Sequence, residues 1–217
     1  MDKLSTLYKK LSYPFISRLN ARYNNKTPLV VDLYIGTPGS GKSTIASALV
    51  TKDVKHGNTN VYSNYPIAGA KILNPKKDLG YFNVSGSKDK KCRVILDEIG
   101  TDFNNRNFKT NISDDLMMWL KRHRHYYVHI DCFSQGLDFD NRFLGLARRV
   151  YIVRKFGFVI AAINVRKKLI VDKETHQFVD GYFMNIFKSK FYFAPLYWSK
   201  FDSHETTPLP DKNWEYW

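Results

Sequence analysis

The stretch that decides the fold reads Leu29-Val30-Val31-Asp32-Leu33-Tyr34-Ile35-Gly36-Thr37-Pro38-Gly39-Ser40-Gly41-Lys42-Ser43-Thr44. Leu29 to Ile35 is an apolar, β-branched run that stops at a glycine-rich turn, the pattern of a buried central strand. From Ser43 to Lys55 the sequence reads as a helix, with Gly57 as its stop. Between them lies G-x-x-x-x-G-K-S, in the strand-before, helix-after context that separates a phosphate-binding loop from a chance glycine turn. Gly36, Gly39 and Gly41 allow the backbone to curl so that its N–H groups point inward at phosphate oxygens. The positive end of the helix adds to that field. Residues Gly36, Thr37, Pro38, Gly39, Ser40, Gly41, Lys42, Ser43 and Thr44 are therefore the candidate nucleotide cradle. Within it, Lys42 bridges the β- and γ-phosphates and the Ser43 hydroxyl ligates Mg²⁺.

A phosphate loop needs an acid to hold the metal and another to activate water. Val94-Ile95-Leu96-Asp97-Glu98 is an apolar strand ending on two acids, where open α/β sheets bind ligands. Asp97 is the candidate second metal ligand, through water, and Glu98 the candidate general base. Chains leaving a buried strand often turn polar, so the pair gains its meaning from the upstream loop. A further strand, Val128 to Phe133, ends in Ser134-Gln135. In P-loop folds with a catalytic glutamate, a strand inserted between the other two carries a polar sensor at its tip, so Gln135 is a candidate γ-phosphate sensor or the start of an ordinary polar loop. Asp97-Glu98-Ile99-Gly100 also spells the D-x-x-G of GTPases, but the sequence contains no N-K-x-D guanine motif, and no ABC-type signature precedes the strand. ATP is the expected nucleotide.

The fold class that follows is α/β: a three-layer P-loop NTPase with a mostly parallel central sheet and a β-rich C-terminal extension. We divide the chain into an N-terminal extension (1–28), an ATPase core (29–155) and a C-terminal extension with tail (156–217). In the extension, Leu4, Leu7, Tyr8 and Leu11 share a helical face, suited to packing on the domain or to lying on a membrane. Asn60 to Tyr65 reads as a short strand and 67–91 as mostly loop. An asparagine-rich loop (100–112) precedes a helix capped by Ser113, with Leu116, Trp119, Leu120 and His123 on one face. Asp140 caps a short helix reaching Arg149, followed by a strand from Val150. Phe158 to Val165, Lys168 to Val171 and His176 to Val179 read as strands, the last two joined by a turn at 172–175.

Lys121-Arg122-His123-Arg124-His125 allows three readings: two metal ligands, an arginine finger reaching a neighbouring subunit, or a basic helix end facing its own dipole. Arg124 is the candidate finger, with Arg122, Arg142, Arg148 and Arg149 as rivals. Such a finger implies a homo-oligomeric ring.

Net charge is +14 over 217 residues, and the sequence pI is 9.6. An excess of that size suits a polyanion or an anionic membrane surface, or serves solubility alone. Aromatic residues crowd 182–201 among Lys188, Lys190 and Lys200. Either they fill the core of the C-terminal sheet or they stack on bases without choosing among them. Cys92 and Cys132, each in an apolar run, read as buried thiols of a reducing compartment. No apolar run is long enough to span a bilayer. The expected location is a host cytoplasm, with a peripheral position at the inner face of the membrane as the variant.

Taken in order, G-x-P-G-S-G-K-S, Val61-Tyr62-Ser63-Asn64-Tyr65-Pro66, the Asp97-Glu98 pair, Trp119-Leu120-x-x-His123-Arg124-His125-Tyr126, the strand ending Ser134-Gln135, and Arg148-Arg149 resemble the zonular occludens toxin-like family. These are filamentous-phage assembly ATPases of the FtsK–HerA class. Phe201-Asp202-Ser203 is similar to a further element of that family, so the resemblance spans roughly 29–203. It implies an ATP-driven motor for virion assembly, extrusion or packaging of viral DNA, single-stranded and bound independently of sequence. Many members carry a membrane-spanning segment, which this sequence lacks; the resemblance then implies a membrane-anchored or capsid partner. A soluble genome-packaging ATPase of the same superfamily fits the length as well, and nothing in the sequence supports a toxin activity. Two readings of other classes stand beside the motor: a nucleotide-dependent assembly scaffold with little turnover, and a small-molecule or nucleotide kinase.

Overall fold

The computed structural model describes residues 29–79, 84–99, 114–136, 145–171 and 178–201, with backbone alone at 76, 114, 167–171 and 178–182. The N-terminal extension, the 100–112 loop, the Ser113 and Asp140 caps, Arg142, the 172–175 turn and the tail lie outside them. The described strands are β1 (Val31–Ile35), β2 (Thr59–Ser63), β3 (Lys71–Ile72), β4 (Lys91–Leu96), β5 (Val128–Ser134), β6 (Ala147–Phe156), β7 (Val159–Val171) and β8 (Phe178–Phe193). Helix α1 spans Lys42–His56 and α2 spans Asp114–Arg122. The strands form one sheet in the order β3-β2-β4-β5-β1-β6-β7-β8. From β3 to β6 every pairing is parallel, and β7 and β8 close the sheet antiparallel. This is a mixed α/β, P-loop NTPase-like fold.

Alternation along the strands separates two cores. Val31, Leu33, Val94, Leu96, Ile130 and Cys132 face α2, whose Leu116, Trp119 and Leu120 are buried against them. Tyr34, Ile95, Phe133, Tyr151 and Val153 face the other way, onto Ile45, Ala46, Leu49 and Val50 of α1. The sheet is thus the middle of three layers. α1 ends as its sequence dictates: Gly57 takes φ +71°, and its N–H returns to the carbonyls of Asp53 and Val54.

The described part of 67–91 is mostly irregular, interrupted by the short edge strand β3 and a π-helical turn over Pro75–Leu79. One local expectation is corrected. Arg149 lies in β6, which already begins at Ala147, so no helix reaches it. The cause is charge pairing: Arg149 Nε and Nη2 each sit 2.6 Å from the Asp32 carboxylate on β1, next in the sheet. That fork is best met from an extended backbone.

The same end of the α1 face holds a buried ionic network. Arg93 pairs with Asp131 and with Asp53 of α1, His129 Nε2 lies 3.3 Å from Asp131, and Lys190 of β8 lies 3.8 Å from Asp32. Lys190 also donates to the Tyr34 hydroxyl (2.9 Å) and stands over the Tyr151 ring. Asp32, His129 and Asp131 are grouped closely enough to hold a metal ion, yet Arg93, Arg149 and Lys190 already neutralise the two carboxylates. Burial pushes the Asp131 carboxyl up, but Arg93 and then His129 overcome it and hold the group well below the ordinary carboxylate range. Cys92 and Cys132 are free and buried, as expected, and burial lifts the Cys92 thiol to about 12.

Arg93→Ala removes the guanidinium from the buried Asp131 carboxylate and leaves it His129 as its remaining ion-pair partner, and should cost about 3–5 kcal/mol in urea unfolding. A carboxylate with a depressed folded pKa stabilises the fold above its unfolded value near ~3.9 and loses that contribution as pH falls through the folded value. The parent should therefore lose stability in acid, and the variant should show a shallower acid limb.

Candidate functional site

Every strand from β1 to β6 runs the same way, so the turns that follow their carboxyl ends gather at one edge of the sheet. There the Gly36 N–H donates to the Ser134 carbonyl at 3.1 Å, joining the start of the phosphate loop to the tip of β5. The loop closes with Ser40 N–H to the Thr37 carbonyl, and α1 begins with Ile45 N–H to the Gly41 carbonyl. Gly39 and Gly41 take φ of +75° and +97°, where side-chain-bearing residues are strained. At Gly41 space is missing too: a Cβ there would stand 2.2 Å from Ile160 Cδ1. Lys42 is buried, and its Nζ donates to the carbonyls of Gly36 (2.7 Å) and Thr37 (3.3 Å), which holds it inside the loop.

The loop fits a phosphate chain. Ser40 Oγ is buried with no hydrogen-bond partner among the described residues, a group that costs free energy until an acceptor or donor meets it. Burial lowers the Lys42 pKa while Asp97 and then Glu98 raise it, so both acids act on the ammonium. Asp97 follows β4, partly buried. Burial lifts its carboxyl above the usual range, against the Glu98 N–H (3.0 Å to Oδ1) and the charge of Lys42. A carboxylate lifted by desolvation gains from a divalent cation, and Ser43 with Asp97 would hold Mg²⁺ here.

Glu98 adopts φ +48°, a left-handed conformation for a residue with a side chain. Its Oε2 accepts a hydrogen bond from Gln135 Nε2 at 2.9 Å. That contact exists because β5 lies between β4 and β1, the order a sensor reading of Gln135 requires. The structure therefore brings Lys42, Asp97, Glu98 and Gln135 to one edge.

Arg124 is not among them. It is exposed in the turn that leads from α2 into the amino end of β5, opposite the phosphate loop. Arg122 is exposed on the same side, and Arg148 and Arg149 open β6 at that opposite end, Arg149 bound to Asp32. His123 is buried, and its Nδ1 lies 2.7 Å from the Leu120 carbonyl, so it ends the helix and joins no metal cluster among the described residues.

Asn64 is the residue that motif reading undervalued. Buried at the end of β2, its Oδ1 accepts the Asp97 N–H at 2.7 Å and its Nδ2 donates to the Asp97 carbonyl at 2.9 Å. The side chain thus extends the β2–β4 ladder one step beyond Ser63 and Ile95 and fixes the turn that carries Glu98. A left-handed residue costs on the order of 1–2 kcal/mol, which two such bonds offset. The available signal was an asparagine directly after a short strand and two residues before Pro66.

The fold and this edge define a P-loop NTPase-like α/β domain. No family model matches the chain, and no curated protein matches it. Among solved structures it is similar in fold to the N-terminal domain of zonular occludens toxin from Neisseria meningitidis, with a TM-score of 0.52 and 18% identity over 72% of this chain and 94% of that one. Two weaker likenesses are to the DNA-packaging ATPase B204. The Sulfolobus turreted icosahedral virus protein has a TM-score of 0.48 and 12% identity over 71% of this chain and 98% of that one. Its counterpart from Sulfolobus turreted icosahedral virus 2, in complex with AMPPCP, has a TM-score of 0.48 and 13% identity over 71% and 98%.

Asn64→Ala should leave nucleotide binding near the parent level while turnover falls roughly 5- to 30-fold, the scale of one to two lost hydrogen bonds. Parallel binding and steady-state assays check the split; an equal loss in both would make Asn64 a merely structural residue.

Proposed function

We propose that the chain is an ATP-hydrolysing motor that moves viral DNA during virion assembly, extrusion or packaging. The observation that carries it is the meeting of Lys42, Asp97, Glu98 and Gln135 at one sheet edge, with Gln135 on the strand inserted between β1 and β4. In this reading the loop N–H groups and Lys42 bind the phosphates. Ser43 and Asp97 would hold Mg²⁺, which would supply charge neutralisation at the phosphates. Glu98 takes a proton from the attacking water, and Gln135 orients its carboxylate and transmits the state of the γ-phosphate. The link to viral DNA rests on the motif resemblance and on the net charge of +14. No helix among the described residues is long and apolar enough to cross a membrane. A host-cytoplasmic motor with a membrane-anchored or capsid partner is part of the same reading.

Lys42→Ala should abolish hydrolysis. Glu98→Gln keeps the shape without the carboxylate, and should bind ATP normally yet turn over at least ~100-fold more slowly. Steady-state ATPase assays with and without DNA separate the readings: a motor is stimulated, a scaffold is silent, and a kinase needs a small acceptor. An unchanged rate in Glu98→Gln would falsify its assignment as base.

Exposed Arg122, Arg124 and Arg148 lie at the sheet end away from their own loop, so a finger role requires a neighbouring subunit. Sedimentation with a non-hydrolysable ATP analogue should reveal a ring-sized oligomer. Rapid hydrolysis by a strict monomer rules the trans-arginine out.

A further inference from the structure

Helix α2 covers the β4, β5 and β1 part of its sheet face. On the same face β6, β7 and β8 carry an ordered apolar surface. Register places Phe156, Val159 and Phe193 in one cross-strand row and Arg154, Ala161 and Phe191 in the next. The rings are open to solvent: Phe191 is 63% exposed, Phe156 59% and Phe193 50%. The intervening Lys190 and Tyr192 turn to the α1 face, where Lys190 meets Tyr34 and Tyr192 packs on the buried core. The aromatics of this segment therefore do not simply fill the sheet core. Contiguous apolar surface of this kind on a folded domain marks a binding site.

Charge identifies what binds. β6 and β7 contain no acidic residue, and the single one in β8, Asp180, pairs with Leu169 in the far part of the hairpin. Arg148, Arg154, Lys155, Arg166 and Lys188 are exposed on these strands. A second copy presenting this same acid-free, basic face would be repelled from it, and a bilayer core is poorly served by Arg154 at the corner of the two rows. A polyanion with planar apolar groups meets both features. A duplex hides its bases, whereas a single strand offers each base's face.

We propose that this open face is a stacking platform for single-stranded nucleic acid. Phe191 and Phe193 stand two residues apart on one strand, about 6.8 Å along its axis, which seats successive bases of an extended chain. Phe156 lies across the sheet from Phe193, and Arg154, two strands from Phe191 in the same row, supplies a phosphate contact. Recognition is independent of sequence, since every base has a face to stack. The site deepens the motor reading and rests on its DNA component.

The test is fluorescence anisotropy of labelled oligothymidylate with the full chain across a salt series. For four to six neutralised phosphates the parent's log–log slope should be about −3 to −4, at ~0.7 per contact. Phe191→Ala and Phe193→Ala should each weaken binding roughly 5- to 150-fold with that slope unchanged, because a ring carries no charge. Arg154→Ala should instead reduce the slope by about 0.7. Phe191→Trp should keep affinity, and its indole fluorescence should be quenched on binding; it also covers the case in which an alanine variant misfolds. If the parent binds and the alanine variants bind as tightly, the platform is overturned while a DNA motor stands. If the parent hydrolyses ATP but binds no oligonucleotide at low salt, the DNA component of the motor falls with the platform. Retained oligonucleotide affinity with lost self-association, or with lost binding to phosphatidylglycerol vesicles, assigns the face to a second copy or a membrane and overturns the proposal.

Discussion

The Gly36 N–H to Ser134 carbonyl bond ties the phosphate loop to the tip of β5, and much of the molecule depends on β5 lying there. A parallel strand cannot be added by a short turn; it needs a crossover that packs on a sheet face. α1 and α2 occupy opposite faces, which gives each face of the central strands its own apolar cover. With β5 seated between β4 and β1, the residue after its tip reaches the second acid after β4, and Gln135 meets Glu98. Moving β5 to the sheet edge would keep every motif and lose this contact.

The other end of the sheet is organised by charge. Asp32, Arg93, His129, Asp131, Arg149 and Lys190 come from β1, β4, β5, β6 and β8, and Asp53 brings α1 into the set. Charges taken out of water are costly unless partners surround them, so this network adds little net stability as a whole yet punishes the loss of any member. Its consequence for the site is geometric. Strands locked at their amino ends deliver their carboxyl ends in fixed register, and Lys190 extends that register to the antiparallel hairpin. The Tyr34, Phe133 and Tyr151 rings stack in the layer between the charges and the loop.

Strain at the edge that carries Glu98 follows the same logic. Glu98 is held in a left-handed conformation by a turn whose backbone is clamped by Asn64, a residue from a neighbouring strand. Ile160 of β7 closes the space over Gly41, so the hairpin beyond β6 touches the phosphate loop directly. That contact gives β7 and β8, which carry exposed rings, a short physical route to the glycine-rich loop.

Sequence by itself determined the loop, the strand before it, the helix after it and the two acids, because each is a local pattern whose chemistry needs those residue types at that spacing. Hydrophobic period likewise fixed the face of α2 that Leu116, Trp119 and Leu120 bury. Tertiary structure alone decided which strands are neighbours, and hence that Gln135 bonds Glu98 and that Arg124 stands away from its own loop. It also decided that Arg149 is extended, since its partner Asp32 lies 117 residues away in sequence. The same holds for Asn64, whose clamp on Asp97 spans 33 residues. The aromatics near the C-terminus show the limit most plainly: alternation says that two faces exist, but only the placement of α1 and α2 decides which face is covered and which stays open to solvent.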